Sequence, residues 1–105
     1  MNTQTDKTIA TEIYNQLGGN HFKAMTGAKN FYATDQSLGF MLPYRLAKDN
    51  INFVKITLNL MDTYDIEFKS VRGTIIKDIC DVNMVYNDQL IEIIESKTGL
   101  NLILR

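Results

Sequence analysis

The residues of this sequence best suited to chemistry lie in a polar stretch, residues 26 to 36, that carries two aromatic rings. Lys29, Asn30, Phe31 and Tyr32 set a cation, an amide and two flat rings side by side. Rings next to positive charge are what sequence-tolerant binding of single-stranded nucleic acid requires. The alternative is structural, because such rings commonly anchor a surface loop to the core. The anchoring role is the favoured one of the two.

The charge distribution adds basic residues to the same hypothesis. Residues 20 to 60 hold five basic and two acidic side chains, whereas residues 61 to 105 hold five basic and eight acidic ones. Because strands from both halves can lie side by side, we expect this asymmetry to cancel over the folded surface. The predicted nucleic-acid contact set comprises Lys23, Lys29, Phe31, Tyr32, Arg45 and Lys55.

A central β-hairpin is predicted at residues 51 to 68, with its turn at Leu60 to Thr63, because apolar and polar side chains alternate on both sides of that turn. One face is apolar and the other mostly polar, as in an antiparallel pair that buries one side. Phe53 and Ile51 on the outer face would suggest a partner surface if exposed. The outer face is expected to hold His21, Lys23, Phe53, Lys55, Asp65, Glu67 and Lys69. Its carboxylates would pair with its lysines, so a solvated face is the simpler interpretation.

Catalysis and metal binding find little support in the sequence. Asp62, Asp65 and Glu67 could form an acid/base pair, but no base, nucleophile or oxyanion donor is identifiable near them. Cys80 and His21 are each the single residue of their type, which excludes an internal disulfide and a zinc site built on paired cysteines. We therefore predict a non-catalytic protein without a metal or cofactor.

The terminal segments predict helices. Ile9, Ile13 and Leu17 follow the spacing of an amphipathic helix, which Gly18 and Gly19 would end. A second helix is expected near the C-terminus, with Asn87 or Asp88 as its cap and Gly99 after its last turn. Its buried side would carry Leu90, Ile91 and Ile94, with Tyr86 as a further candidate.

Between the helices the sequence predicts five strands. They are the two arms of the hairpin together with segments at Asn20 to Thr26, Ser37 to Leu42 and Thr74 to Val82, and a turn is expected at Lys69 to Gly73. Short connections favour antiparallel pairing. We therefore predict an α+β fold: an antiparallel sheet of about five strands flanked by an N-terminal and a C-terminal helix.

Length and composition set the outer limits of the prediction. The 105 residues, 45% hydrophobic and 22% charged, are expected to form one domain, residues 1–105. The apolar runs are too short for a membrane span, and the polar N-terminus has no apolar signal-peptide core. With its single cysteine, the chain is expected to be cytoplasmic.

Two stretches, QLGGNHFKAMTGAKNF (Gln16 to Phe31) and NFVKITLNLMDTYDIEF (Asn52 to Phe68), resemble a family of small uncharacterised proteins from tailed phages and related mobile elements of gut bacteria. The GGN, MTGAKNF, ITL and TYD pieces follow the family's order, and the match extends to Thr98 to Leu100. Departures are Met41, in place of a basic residue, and the NLILR ending. The resemblance implies phage or mobile-element origin and action inside a bacterial host cell, and it supplies no active site.

Two functions follow as hypotheses. The first is a small phage-type accessory protein that binds single-stranded DNA or RNA through the contact set above. The second is a protein-binding module, either a homodimer or an inhibitor of a host factor. It would use a strand edge or the apolar tail Leu100 to Leu104. Binding to phosphates should weaken steeply as salt rises, whereas an apolar interface should change little.

Overall fold

The computed structural model of the chain describes residues 8–43, 46–100 and 102. The elements in chain order are α1 Thr8–Leu17, α2 Asn20–Thr26, β1 Lys29–Ala33, β2 Ser37–Met41, β3 Phe53–Leu58, β4 Tyr64–Arg72, β5 Ile75–Val85 and α3 Leu90–Thr98. A single helical turn lies at Asn87–Gln89, and Lys48–Asn50 forms a tight turn in which Asp49 and Asn50 have positive φ. None of the described helices has the length and apolar character needed to cross a membrane.

The five strands form one antiparallel sheet in the order β1-β2-β3-β4-β5, so each strand pairs with its neighbours along the chain. Such a meander needs only short connections. The predicted fold class, an α+β arrangement with an antiparallel sheet and terminal helices, is confirmed.

The core lies between one face of this sheet and the helices. Val54 and Ile56 of β3 face the helices, as do Ile66 and Phe68 of β4, and all four side chains are fully buried. Burial of each such side chain stabilises the fold by about 1.5 to 3 kcal/mol. Helices α1 and α3 cover them with their apolar stripes, whose fully or nearly fully buried members are Ile13, Leu17, Leu90 and Ile94.

Helix α2 occupies the segment for which a first strand was predicted, so that prediction is wrong. Phe22 and Thr26, four residues apart, are buried together, which is a helical spacing. The intervening Lys23, Ala24 and Met25 are good helix formers, and they outweigh a weak alternation of apolar residues. Gly27 ends the helix at φ 71°, with its N–H donating to the Lys23 carbonyl oxygen at 2.9 Å.

Strand β1 lies inside the stretch that was expected to be a polar loop. It forms a hairpin with β2, and an irregularity between Lys29 and Tyr32 shifts the register, with Asn30 at a positive φ of 55°. This bulge obscures the alternation that would have marked a strand. The predicted number of five strands is therefore met, although β1 replaces the segment that forms α2.

The β4–β5 hairpin is longer than the sequence suggested. A turn was predicted at Lys69 to Gly73, but β4 continues to Arg72 and pairs with Ile75 across the two residues Gly73 and Thr74. Gly73 has a φ of 60°, which two-residue hairpin turns require at their first central position. The last strand likewise runs beyond its predicted end, to Val85.

At the C-terminal end the described part of the apolar tail packs onto the protein. Leu102 is fully buried and Leu100 is half-buried. The Leu102 N–H donates to Glu95 Oε2 at 2.8 Å. The rest of the predicted tail lies outside the described residues. Tyr86, a candidate for the buried side of α3, is instead exposed.

Candidate binding surface on the open face of the sheet

The sheet face that points away from the helices, called the open face below, is defined by the strand register. Residues directly opposite each other in antiparallel strands point to the same face. Gly39 pairs with Tyr32 and Lys55, and Lys55 pairs with Glu67. The open-face positions are Lys29, Tyr32, Ser37, Gly39, Met41, Phe53, Lys55, Thr57, Asp65, Glu67, Lys69, Val71, Ile76, Asp78 and Asp81.

Two aromatic rings lie nearly parallel on this face. The Tyr32 and Phe53 rings have centroids 6.2 Å apart and an interplanar angle of 13°. Tyr32 also covers Gly39, since a Cβ atom at Gly39 would lie 2.1 Å from Tyr32 Cε1. Glycine at this position therefore lets the ring rest against the backbone of the neighbouring strand. Tyr32 nevertheless remains 41% exposed.

A groove of about 450 Å³ runs across the same face. Its walls come only from strands, and they combine five large apolar or aromatic side chains with three charged ones. The lining residues are Tyr32, Met41, Phe53, Lys55, Glu67, Lys69, Val71 and Ile76. Ile76 is 64% exposed, which is unusual for a large aliphatic side chain beside other apolar groups.

Lys69 joins two carboxylates on this face. Its Nζ lies 2.6 Å from Asp78 Oδ1 and 3.6 Å from Glu67 Oε1. The hydrogen bond to Asp78 raises the pKa of Lys69 above its ordinary value, and Glu67 adds to that effect. Burial raises the pKa of the Tyr32 hydroxyl, and the negative charge of Glu67 raises it further, while Lys69 opposes the change. The charges of Glu67 and Lys69 therefore act on the Tyr32 hydroxyl group.

The charges on the open face are separated by sign. Strands β1 to β3 contribute two lysines, Lys29 and Lys55, and no carboxylate. Strands β4 and β5 contribute one lysine, Lys69, against the four carboxylates Asp65, Glu67, Asp78 and Asp81. The predicted cancellation is met only where β3 pairs with β4 and Lys55 lies opposite Glu67. Elsewhere on this surface it is wrong, because the strands lie in chain order and keep the basic and acidic halves of the sequence apart.

The predicted nucleic-acid contact residues divide between two sides of the sheet. Tyr32 and Lys55 are on the open face, and Lys29 joins them as the register partner of Met41. Lys23 and Phe31 instead line a separate pocket of about 290 Å³ on the helix side, between α1, α2 and β1. Arg45 lies outside the described residues. The placement of His21 and Lys23 on the outer sheet face is wrong, since both belong to α2.

The Phe31 ring belongs to an aromatic cluster in the core. Its centroid lies 5.4 Å from that of Tyr14, 5.6 Å from that of Phe40 and 6.5 Å from that of Phe22. These distances are those of favourable aromatic pairs. Phe31 therefore anchors β1, as the structural alternative predicted, whereas the adjacent Tyr32 points to the opposite side.

The acidic residues that invited a catalytic interpretation have structural partners. Asp65 Oδ1 accepts hydrogen bonds from Asn59 Nδ2 and from the Met84 N–H, both at 3.1 Å. Asp62 sits in the β3–β4 turn at a φ of 60°, where its N–H donates to the Asn59 carbonyl oxygen. In the described part of the chain, no three histidine, cysteine, aspartate or glutamate residues converge as a metal site would require.

Sequence reasoning missed three apolar members of the groove, Met41, Val71 and Ile76. Val71 falls within the predicted turn at Lys69 to Gly73, and Ile76 within the strand predicted at Thr74 to Val82. Ile76 pairs with Val71, while Cys80 pairs with Phe68 on the buried face, because the register shifts between Phe68 and Lys69. One pattern could have predicted the longer strand. Every second residue from Glu67 through Lys69 to Val71 points to the same face, and this spacing continues up to the turn glycine, Gly73.

Comparison with known proteins adds no relative. The chain matches no protein-family model, and neither a curated protein nor a solved structure is significantly similar to it.

Proposed function

We propose that this protein is a protein-interaction module and that the open face of its sheet is the contact surface. The observation that carries the proposal is the groove of about 450 Å³, where aromatic and aliphatic side chains are exposed next to charged ones. Protein interfaces combine such apolar centres with a polar rim. The solvated face of an antiparallel sheet more commonly exposes polar side chains.

The charges of the groove also fit a protein better than a phosphate backbone. Lys69 is engaged by Asp78 and Glu67, and Lys55 lies opposite Glu67 in the register. Nucleic-acid affinity depends on lysines and arginines that neutralise phosphates. Carboxylates within the groove oppose that neutralisation, whereas a protein surface can offer a cation to each of them.

Single-stranded nucleic acid is the second candidate ligand, and the near-parallel Tyr32 and Phe53 rings favour it. Exposed rings on a sheet are platforms for nucleobases, and Lys29 and Lys55 supply positive charge on the β1–β3 half of the same face. Fluorescence anisotropy of labelled single-stranded and duplex DNA, at low and moderate salt, tests this candidate. It predicts salt-sensitive binding that a Lys29→Ala/Tyr32→Ala variant loses and a Lys23→Ala/Phe31→Ala variant retains.

Site-specific photocrosslinking tests the proposed function. The photoreactive amino acid p-benzoylphenylalanine replaces Phe53 on the open face or, as a matched control, Glu92, which is exposed on α3. Both variants are expressed in the cells that naturally produce the protein, irradiated, and analysed by electrophoresis and mass spectrometry. We expect a polypeptide adduct from position 53 and none from position 92.

Other outcomes of the crosslinking experiment are equally informative. An adduct at position 53 that nuclease removes would assign the open face to nucleic acid. No adduct at position 53, or the same adducts at both positions, would contradict the proposal. A phage-type origin, a cytoplasmic location in a bacterial host and the lack of catalysis stay predictions.

A further inference from the structure

We propose that the partner of the open face is a second copy of this chain, bound face to face about a two-fold axis parallel to the strands. This inference rests on the proposed function, since it names the partner of the same surface. It follows from the separation of charge described above: the β1–β3 half carries two lysines and no carboxylate, and the β4–β5 half carries four carboxylates against the single lysine Lys69. A surface with one basic and one acidic half can complement itself.

Symmetry restricts how two such faces can meet. Two identical sheets that pack face to face are related by an axis lying between them, either perpendicular or parallel to the strands. A perpendicular axis would place each strand over its own counterpart and so oppose like charges. An axis parallel to the strands, along the seam between β3 and β4, places β3 over β4 of the second copy and β2 over β5. Charge complementarity therefore selects the parallel axis.

The residues at this seam are suited to reciprocal contacts. Lys55 and Glu67 are register partners on either side of the seam, so rotation about it brings each opposite the other in the second copy. Phe53 and Lys69 are likewise register partners, and the same rotation places Lys69 opposite Phe53 of the second copy. These pairs lie closest to the axis, where the twist between stacked sheets displaces them least.

The apolar side chains of the groove would provide most of the favourable free energy of association, because the paired charges alone contribute little. Stacked sheets lie about 10 Å apart, and side chains from both faces fill the space between them. Met41, Val71 and Ile76 rise from three different strands of this face, so two copies would bury them together. Such burial compensates for the loss of water around the paired charges, which on their own contribute little net affinity.

Charge exchange between two purified full-length variants tests the inference. In Lys55→Glu, the new carboxylate would oppose Glu67 of the second copy, and in Glu67→Lys the new ammonium would oppose Lys55. We expect sedimentation equilibrium to show a dimer for the native protein and a dissociation constant raised about tenfold or more for each variant alone. An equimolar mixture of the two variants should regain the native dimer affinity.

The mixture isolates the contact between copies, because each variant keeps its like-charged pair within its own sheet while every pair between copies becomes opposite in charge. Thermal unfolding monitored by circular dichroism verifies that both variants are folded. Glu92→Lys, a reversal on α3, serves as control and should leave the dimer unchanged. A native protein that stays monomeric at all concentrations, or a mixture that associates no better than its components, would overturn the inference. Crosslinking of a different polypeptide at position 53 would overturn it too, while leaving the proposed function intact.

Discussion

The two faces of the sheet are built from the same strands but differ in burial and in charge. On the helix side, Ile56 and Phe68 are fully buried among other apolar side chains. On the open face, the adjacent residues Lys55 and Glu67 are half-exposed and charged, and Phe53 is only partly covered by Tyr32. Because successive residues of a strand point to opposite sides, each strand packs into the core with one set of side chains and leaves the other set at the surface.

The comparison is sharpest for two phenylalanines on neighbouring strands. Phe68→Ala removes a ring that is 0% exposed and leaves a cavity, so we expect it to lower the free energy of unfolding by about 3 to 5 kcal/mol. Phe53→Ala removes a half-exposed ring and should cost about 1 kcal/mol. Urea unfolding followed by circular dichroism measures both. Equal losses would show that the open face is as important for stability as the core.

Gly39 leaves the space in which the Tyr32 ring of the open face packs against strand β2. In Gly39→Ala the new methyl group would start from a position 2.1 Å from Tyr32 Cε1, so the tyrosine ring must leave its place. We expect a loss of about 1 to 3 kcal/mol in the free energy of unfolding. The same substitution in a Tyr32→Ala background should cost much less, and a double-mutant cycle measures the difference. A cycle without coupling would mean that the ring does not rest on Gly39.

Asn52 is a buried polar residue whose side chain hydrogen-bonds to the backbone of strand β4. Its side-chain Nδ2 donates to the Val71 carbonyl oxygen at 2.8 Å, and its Oδ1 accepts from the Val71 N–H at 2.7 Å. Asn52→Ala leaves both backbone groups without these partners, so the free energy of unfolding should fall by about 1 to 3 kcal/mol. Hydrogen exchange should accelerate at the Val71 amide and not at the Ile66 amide. Unchanged exchange at Val71 would show that Asn52 does not secure this part of the groove.

Two tyrosines, one on each face, give the smallest expected effect. Burial raises the pKa of Tyr64 on the helix side and of Tyr32 on the open face above their ordinary value of 10.0. A phenol with a raised pKa holds its proton more tightly in the folded chain. This contribution to stability is present below pH 10 and is lost as the pH rises through the folded-state pKa.

The free energy of unfolding should therefore decline above about pH 10, and Tyr64→Phe and Tyr32→Phe should each make that decline shallower. Urea unfolding between pH 8 and pH 11 measures the slope, with Tyr86→Phe at an exposed tyrosine as control. An identical slope in the native protein and in both variants would contradict the expectation.

Strong local patterns in the sequence were enough to predict most of the fold. The alternation of residues 51 to 68 and the helical stripe of Ile9, Ile13 and Leu17 each specify one element and its buried side. Asn20 to Thr26 was mistaken for a strand because seven residues with three apolar members, Phe22, Ala24 and Met25, fit either period. The helix is decided by Gly18, Gly19 and Gly27 around it and by burial of Phe22 against the aromatic cluster, and that burial is a tertiary effect.

The candidate surface was predictable only in part. Alternation placed Phe53, Lys55, Glu67 and Lys69 on one outer face. The sequence could not show that Tyr32 would join them while Phe31 entered the core, because that depends on a bulge beside Lys29 and on the space above Gly39. Strand order was also inaccessible, and it alone determines that the two halves of the sequence form a surface with separated charge.

The meander order also has a kinetic consequence. Every pair of strands joins segments that are neighbours in the chain, and the β4–β5 hairpin closes over only Gly73 and Thr74. Closing short loops loses little chain entropy, so such sheets can grow strand by strand from one hairpin. The contact between α1 and α3, by contrast, joins the two ends of the described chain. Closing the hairpins of the sheet therefore costs less chain entropy than bringing the two terminal helices together.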